Sequence, residues 1–380
     1  MRRGATRART SGFSTSYTGG VDAISFARGV PAPECLPVSE LADCAKTALE
    51  RDGSVALSYG STLGYAPLRE CLAERHGVEP GRVLVTNGSL QAFHFVLGAL
   101  SGEGRVVVER PTYDRPLRIL ASAGIELADV PVDDEGLDVD ELERLLDGPP
   151  AAFLYTIPTF QNPTGSTLGE ARRRRLAEVA RARGLPVLED DPYGLVRFEG
   201  EPLPSVFELE GGVKVMYSSS FSKTIAPGLR VGYAIVPAPL AVELEELVAS
   251  TYITPALLAQ ATVYEFLRRG LFEPNLDRVR GLLRVRRDAM LEALERELSG
   301  IARWNRPEGG YFLWLELPEA VDARELLSRS APAGLTFVAG ADFGGPASSV
   351  RLAYSFVSPA EIDEGVRRLA AVLAATPVAA

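Results

Sequence analysis

One stretch of the chain concentrates residues able to do chemistry: Ser218-Ser219-Ser220-Phe221-Ser222-Lys223-Thr224-Ile225-Ala226-Pro227-Gly228-Leu229-Arg230. It follows an apolar, alternating run, Val213–Tyr217, that reads as a short strand. The chain has 40 basic residues, yet its lysines are only Lys46, Lys214 and Lys223. Arginine does the surface work, so a lysine here points to something guanidinium cannot do. A lysine loses its proton and forms an imine; arginine does not. Hydroxyls and an arginine close by are phosphate ligands by chemistry. An imine-forming lysine inside a phosphate cradle is what pyridoxal 5'-phosphate requires. A Ser-rich loop with an exposed lysine would have the same sequence, so the rest of the chain decides.

Further candidates follow predicted strands. Val83-Leu84-Val85-Thr86 reads as a buried strand, and Asn87-Gly88-Ser89-Leu90-Gln91 opens a helix reaching about Leu100. Free N–H groups in a first helical turn make an anion site, although a plain Asn or Ser cap fits the same residues. From Val106 to Val236 strands and helices alternate: strands at Val106–Glu109, Glu126–Pro131, Ala152–Ile157, Pro186–Asp190, Val213–Ser218 and Val231–Val236, helices at Tyr113–Ala123, Asp138–Leu146 and Leu168–Arg183. Such alternation predicts an α/β fold, a parallel sheet with helices on both faces, and ligands beyond the C-terminal strand ends. Gly88-Ser89, Tyr113, Asn162, Asp190 and Lys223 all fall there. The remainder reads as a small α+β domain: a long Arg-rich helix Leu276–Leu298, strands at Gly309–Leu317, Thr336–Val338 and Val350–Phe356, and a closing helix Pro359–Ala374. The expected division is a flexible arm over residues 1–20, an N-terminal segment 21–50 joining the small domain, a large domain 51–275 and a small domain 276–380.

Composition removes other classes. The net charge of −10 argues against nucleic acid as a main partner. No apolar run approaches the roughly 20 residues of a membrane span. Two histidines, His76 and His94, leave little for a metal site or a serine-histidine triad, and no metal is expected. His76 before Gly77 reads as a helix end. Three cysteines, Cys35, Cys44 and Cys71, lack CxxC spacing and point to a reducing, cytoplasmic setting. Met1–Gly20, with Arg2, Arg3, Arg7 and Arg9 and no acid, reads as a flexible arm; a transit peptide has similar composition. No G-x-G-x-x-G or P-loop motif is present, and Arg172–Arg175 reads as a solvated helix face.

Taken in order, Tyr59 with Gly64-Tyr65-Ala66-Pro67-Leu68-Arg69, Thr86-Asn87-Gly88-Ser89, Pro111-Thr112-Tyr113, Phe160-Gln161-Asn162-Pro163-Thr164-Gly165, Glu189-Asp190-Asp191-Pro192-Tyr193, Ser220-Phe221-Ser222-Lys223 with Pro227-Gly228-Leu229-Arg230-Val231-Gly232, and Arg351-Leu352 resemble the PLP-dependent fold-type I aminotransferases of class I/II. Within these, the chain is most similar to the 2-aminoadipate aminotransferase-like group, which also includes the effector domain of MocR-type regulators. The likeness spans about Ile24 to Leu373. It implies a large domain with a mostly parallel sheet sandwiched by helices and a small α+β domain. It implies that Lys223 carries the internal aldimine and moves the proton, and that Asp190, chosen over Asp191 by the Asp-x-x-Tyr spacing, faces the ring nitrogen. Tyr193 and Asn162 would bond the ring oxygen, with a cis bond plausible at Asn162-Pro163, and Tyr113 would stack on the ring. Gly88, Ser89, Leu90, Ser220, Ser222 and Arg230 would hold the phosphate. Tyr59 would complete that cradle from the neighbouring subunit of a homodimer, and Arg351 would grip the substrate carboxylate. The implied activity moves an amino group between an amino acid and a 2-oxo acid.

Departures fall near substrate. Where the group shows Ala-Gly-Gly this chain has Ala27-Arg28-Gly29, so Arg28, beside Gly29, is expected at the substrate mouth, meeting a polar or anionic side chain. Val338-Ala339-Gly340 lacks the usual proline, and Ala353-Tyr354 replaces the usual Asn; both sites are expected to touch substrate. The cofactor machinery is intact, which leaves elimination, substitution, decarboxylation or oxidation as the alternative reaction. A MocR-type regulator would need a winged-helix module, and about twenty residues before Val21 are too few for one.

Overall fold

The computed structural model describes residues 23–375; the Arg-rich segment 1–20 lies outside the described residues. Strand β1 (Ile24–Ser25) leads to helix α1 (Val38–Ala56), which is kinked at Asp52. Helix α2 (Ala66–His76) has a proline in its first turn and stops at Gly77, which takes the left-handed conformation of a helix cap. Strand β2 (Val83–Thr86) and helix α3 (Ser89–Leu100) follow.

The alternating region comprises β3 (Arg105–Arg110), α4 (Asp114–Ala123), β4 (Leu127–Asp133), β5 (Gly136–Leu137), α5 (Val139–Leu145), β6 (Ala151–Thr156), α6 (Glu170–Arg183), β7 (Val187–Asp190), α7 (Val206–Glu210), β8 (Val215–Ser220) and β9 (Gly232–Ile235). The strands form one eight-stranded sheet in the order β2-β9-β8-β7-β6-β3-β4-β5. The run β4, β3, β6, β7, β8 is parallel. Strand β9 is antiparallel to both neighbours. The loop between β8 and β9 holds no crossover helix, so the chain returns alongside the strand it left. Successive side chains on these strands go to opposite faces. Val107, Leu154, Val187 and Val215 enter one core, while Val106, Val108, Phe153, Leu188 and Met216 enter the other. Burial on both faces explains why the strands read as unbroken apolar runs.

Helices α8 (Ala238–Tyr252), α9 (Leu257–Arg268) and α10 (Phe272–Leu298) come next. The small domain holds β10 (Arg303–Trp304), β11 (Phe312–Glu316), α11 (Ala323–Ser330), β12 (Leu335–Thr336), β13 (Val338–Ala339), β14 (Ser349–Ala353) and α12 (Pro359–Ala374). Its antiparallel sheet has the order β10-β11-β14-β13, and β12 pairs separately with β1. The single short strand expected at Thr336–Val338 is therefore two, parted at buried Phe337. Helix α12 begins at a capping box, Ser358 with Glu361. Among the described residues no helix is long and apolar enough to cross a membrane.

One reading is corrected. Arg173 is not part of a solvated face: it is 1% exposed. It donates to the carbonyls of Leu168 (2.7 Å), Pro158 (2.9 Å) and Pro204 (3.2 Å) and to Thr159 Oγ1 (2.7 Å), and lies 3.8 Å from Glu189. The run of four arginines hides one whose helical position points inward, a fact charge alone does not carry. Tyr354 is also buried, donating to the carbonyls of Gly309 (2.8 Å) and Gly310 (2.9 Å). Its hydroxyl holds that turn.

Candidate active site

The anion cradle is built where β2, α3 and β9 meet. Gly88 precedes the first turn of α3 with φ +88°, and a Cβ there would stand 2.6 Å from Arg230 Nη2. A Cβ on Gly232 would stand 2.7 Å from the Gly88 backbone. Only glycine at both positions lets β9 close against the helix N-terminus, whose free amides at Ser89 and Leu90 then face the loop after β8. Arg230 itself has φ +53°, an uncommon left-handed backbone for a non-glycine residue. That conformation follows Pro227–Leu229 and brings the guanidinium to the Asn87 carbonyl (2.7 Å) and Ser222 Oγ (3.4 Å). Ser220 Oγ lies 2.8 Å from Ser222 Oγ. Gly88, Ser89, Ser220, Ser222 and Arg230 thus lie together, with Leu90 next in the first turn of α3.

Lys223 follows in the same turn and is half-buried. Its Nζ donates to the Gly29 carbonyl (2.6 Å) and sits 5.2 Å from the ring of Tyr311 and 5.8 Å from that of Tyr193. Tyr311 also donates its hydroxyl to the Lys223 carbonyl (2.8 Å), which fixes the backbone of the turn. Burial, then the charges of Arg351 and Arg230, lower the amine to about 8.

Asp190 ends β7. Its Oδ2 accepts from Tyr155 (2.8 Å), while Oδ1 has no hydrogen-bond partner. Burial raises its pKa to about 7, against the pull of Tyr155 and Ser89. Asp191 is fully engaged elsewhere, accepting from the Gly194 amide (2.7 Å) and the Tyr217 hydroxyl (3.1 Å). The two adjacent acids are therefore told apart by geometry as well as by the Asp-x-x-Tyr spacing.

From the small domain, Arg351 on β14 is 8% exposed and packs 4.2 Å over the ring of Phe312 and 4.7 Å over that of Phe343. It donates to Asn162 Oδ1 (2.9 Å) and the Ala27 carbonyl (3.0 Å), and its Nε has no partner. Burial lowers it to about 10. Asn162 precedes a cis peptide bond to Pro163. Tyr193 is buried against Phe312, with ring centroids 5.7 Å apart. Tyr113 is half-buried at the start of α4, and burial, then the charges of Asp114 and Asp190, raise its pKa. Arg28 is exposed, its guanidinium 3.9 Å over the Phe356 ring. Tyr59 stands apart, 82% exposed on the loop after α1.

The cleft thus sets Arg230 and Arg351 within electrostatic reach of Lys223, while Asp190 keeps one oxygen free. An excess of positive charge in a chain of net −10 suits a ligand carrying phosphate and carboxylate groups. The open cradle and the unpartnered Oδ1 of Asp190 fit pyridoxal phosphate. Tyr155, Tyr311 and Phe312 were not singled out from sequence. Strand spacing was the available signal for Tyr155, two residues before Ile157 on β6, but a buried tyrosine there also reads as core.

A family model described as aminotransferase class I and II matches residues 30–369. A 2-aminoadipate transaminase of Thermus thermophilus is 41% identical over 92% of this chain and 90% of its own length. An aromatic-amino-acid aminotransferase of Thermococcus litoralis is 35% identical over 92% and 87%. The crystal structure of the alpha-aminoadipate aminotransferase of Thermus thermophilus, complexed with N-(5'-phosphopyridoxyl)-L-leucine, superposes with a TM-score of 0.88 at 40% identity, covering 93% of this chain and 92% of that one. The lysine, its cradle and the fold that positions them make this chain a member of the class I and II aminotransferases, a fold-type I enzyme that moves amino groups with pyridoxal phosphate.

Proposed function

We propose that the enzyme transfers an amino group between a donor carrying a second, side-chain carboxylate and a 2-oxo acid. When bound, the cofactor supplies a ring that accepts negative charge from the substrate α-carbon. Lys223 is the amine that bonds it and later carries the proton. An amine near 8 shuttles a proton well at neutral pH. Asp190 would hold the ring nitrogen with its free Oδ1, Tyr113 the ring face, and Tyr193 and Asn162 the ring oxygen. Arg351 already occupies Asn162 Oδ1, which leaves the amide Nδ2 as the available donor. Gly88, Ser89, Leu90, Ser220, Ser222 and Arg230 would hold the phosphate. The Arg351 fork, flat between two aromatic rings, would orient the substrate carboxylate.

The observation that carries the substrate class is Arg28. It has no carboxylate partner among the described residues, and it precedes Gly29, whose carbonyl takes the Lys223 amine. A free cation one residue from the carbonyl that takes the Lys223 amine, resting on Phe356, is placed to meet an anionic side chain. The name of the Thermus thermophilus relative is consistent with such a donor. In Arg28→Gly, kcat/KM for 2-aminoadipate or glutamate should fall about tenfold relative to leucine. An unchanged donor ranking would sink this assignment. Transamination itself is read from the half-reaction: amino donors should convert the bound cofactor to its amine form, and a panel giving no conversion would count against it.

Exposed Tyr59, beside exposed Leu57, supports its placement in the partner's cradle of a homodimer. The unpaired thiols of Cys35, Cys44 and Cys71 support a reducing, cytoplasmic setting. A division near residue 275 falls inside α10, which would tie the large domain to a small domain closing over substrate.

A further inference from the structure

We propose that Tyr155 is a positioning residue for the cofactor: it fixes one oxygen of Asp190 so that the other stays free and correctly aimed. The inference rests on the reading that Asp190 faces the ring nitrogen. Strands β6 and β7 run parallel with Tyr155 opposite Leu188. Asp190, two residues further on, is therefore on the same face as Tyr155 and within diagonal reach of a long side chain. Tyr155 is 1% exposed, and its hydroxyl donates to Asp190 Oδ2 at 2.8 Å. Its ring packs edge-on against Phe93 of α3, with centroids 5.1 Å apart and planes at 74°.

One side chain thus connects three parts. Phe93 belongs to the helix whose first turn carries Ser89 and Leu90, and Asp190 ends the strand beside Tyr155's own. Tyr155 thus bridges the helix that carries Ser89 and the acid read as facing the ring nitrogen. Burial and the neighbouring carboxylate hold its phenol protonated, so it stays a donor throughout the working pH range. The Tyr155 hydroxyl restrains the carboxylate through Oδ2, and Oδ1 remains unpartnered. Without the hydroxyl, Asp190 would gain proton affinity and lose its fixed orientation.

The test is a double-variant cycle on the holoenzyme, read by cofactor release on dilution and by the pH titration of its visible absorbance. Tyr155→Phe keeps the ring and removes the hydroxyl. Cofactor should be held about 10- to 100-fold less tightly, the loss expected for one hydrogen bond to a charged group. The absorbance titration should shift, and kcat should fall equally for all donors with their ranking kept. In an Asp190→Asn background the same change should add less than about twofold, because the two act as one unit. Tight cofactor binding in Tyr155→Phe, with weak binding in Asp190→Asn, would overturn the inference and leave the site assignment standing. Tight binding in Asp190→Asn would overturn both. If Tyr155→Phe alone does not fold, the double variant decides: binding equal to Asp190→Asn supports coupling, and a further tenfold loss refutes it.

Discussion

The Lys223 amine gives the account a quantity to test. In water its pKa would be 10.5; burial, then Arg351 and Arg230, bring it to about 8. At pH 7 an ordinary lysine is free in about 1 molecule in 3000, whereas an amine at 8 is free in about 1 in 11, roughly a 300-fold gain. Only the free amine attacks an aldehyde. Cofactor-free enzyme mixed rapidly with pyridoxal phosphate, followed by visible absorbance, should therefore capture it at a rate rising about tenfold per pH unit below 8 and flat above. Arg351→Met removes the stronger of two repelling cations and should move the midpoint upward, by less than the full shift because burial is the larger cause. A rate still climbing at pH 10 would show a solvent-exposed lysine. A midpoint that moves downward in Arg351→Met would refute the electrostatic reasoning.

Other consequences are direct. Arg173→Met leaves Glu189 buried without its cation and should cost about 3–5 kcal/mol, seen as a lower Tm. Glu189 already sits at about 7 through burial and Arg173 pulls it down, so the loss should be larger at pH 8.5 than at pH 6. Gly88→Ala would set a Cβ against Arg230 at a left-handed backbone and should weaken cofactor binding at least about tenfold with the fold retained, measured by equilibrium dialysis. His76 is held neutral by burial and by Arg75, with its pKa lowered to about 4 from 6.5. Stability linked to it is full above 6.5 and lost as pH falls towards 4, so His76→Phe should flatten the Tm profile across that window.

Much of the positioning was legible because it depends on local pattern. Continuous apolar runs gave β2 at its observed bounds, and β6 and β7 within a residue or two; the closing helix Pro359–Ala374 was read at its observed bounds. Placing chemistry-bearing residues just beyond strand ends located Gly88, Asn162, Asp190 and Lys223 together. Antiparallel β9 was not read, since strand direction follows from loop length and not from composition. Short α7, β5 and β10 lack enough residues to show a period. The burial of Arg173 and the contact between Tyr155 and Asp190 depend on tertiary neighbours far along the chain. Arg28 was expected at the substrate mouth, but its rest position over Phe356 needed the packed small domain.

The most direct trial of the central assignment is chemical. Holoenzyme reduced with borohydride, digested and mapped by mass spectrometry should carry the phosphopyridoxyl group on the peptide containing Lys223, and on neither Lys46 nor Lys214. Label on another lysine, or on none, would contradict the claim that this amine holds the cofactor.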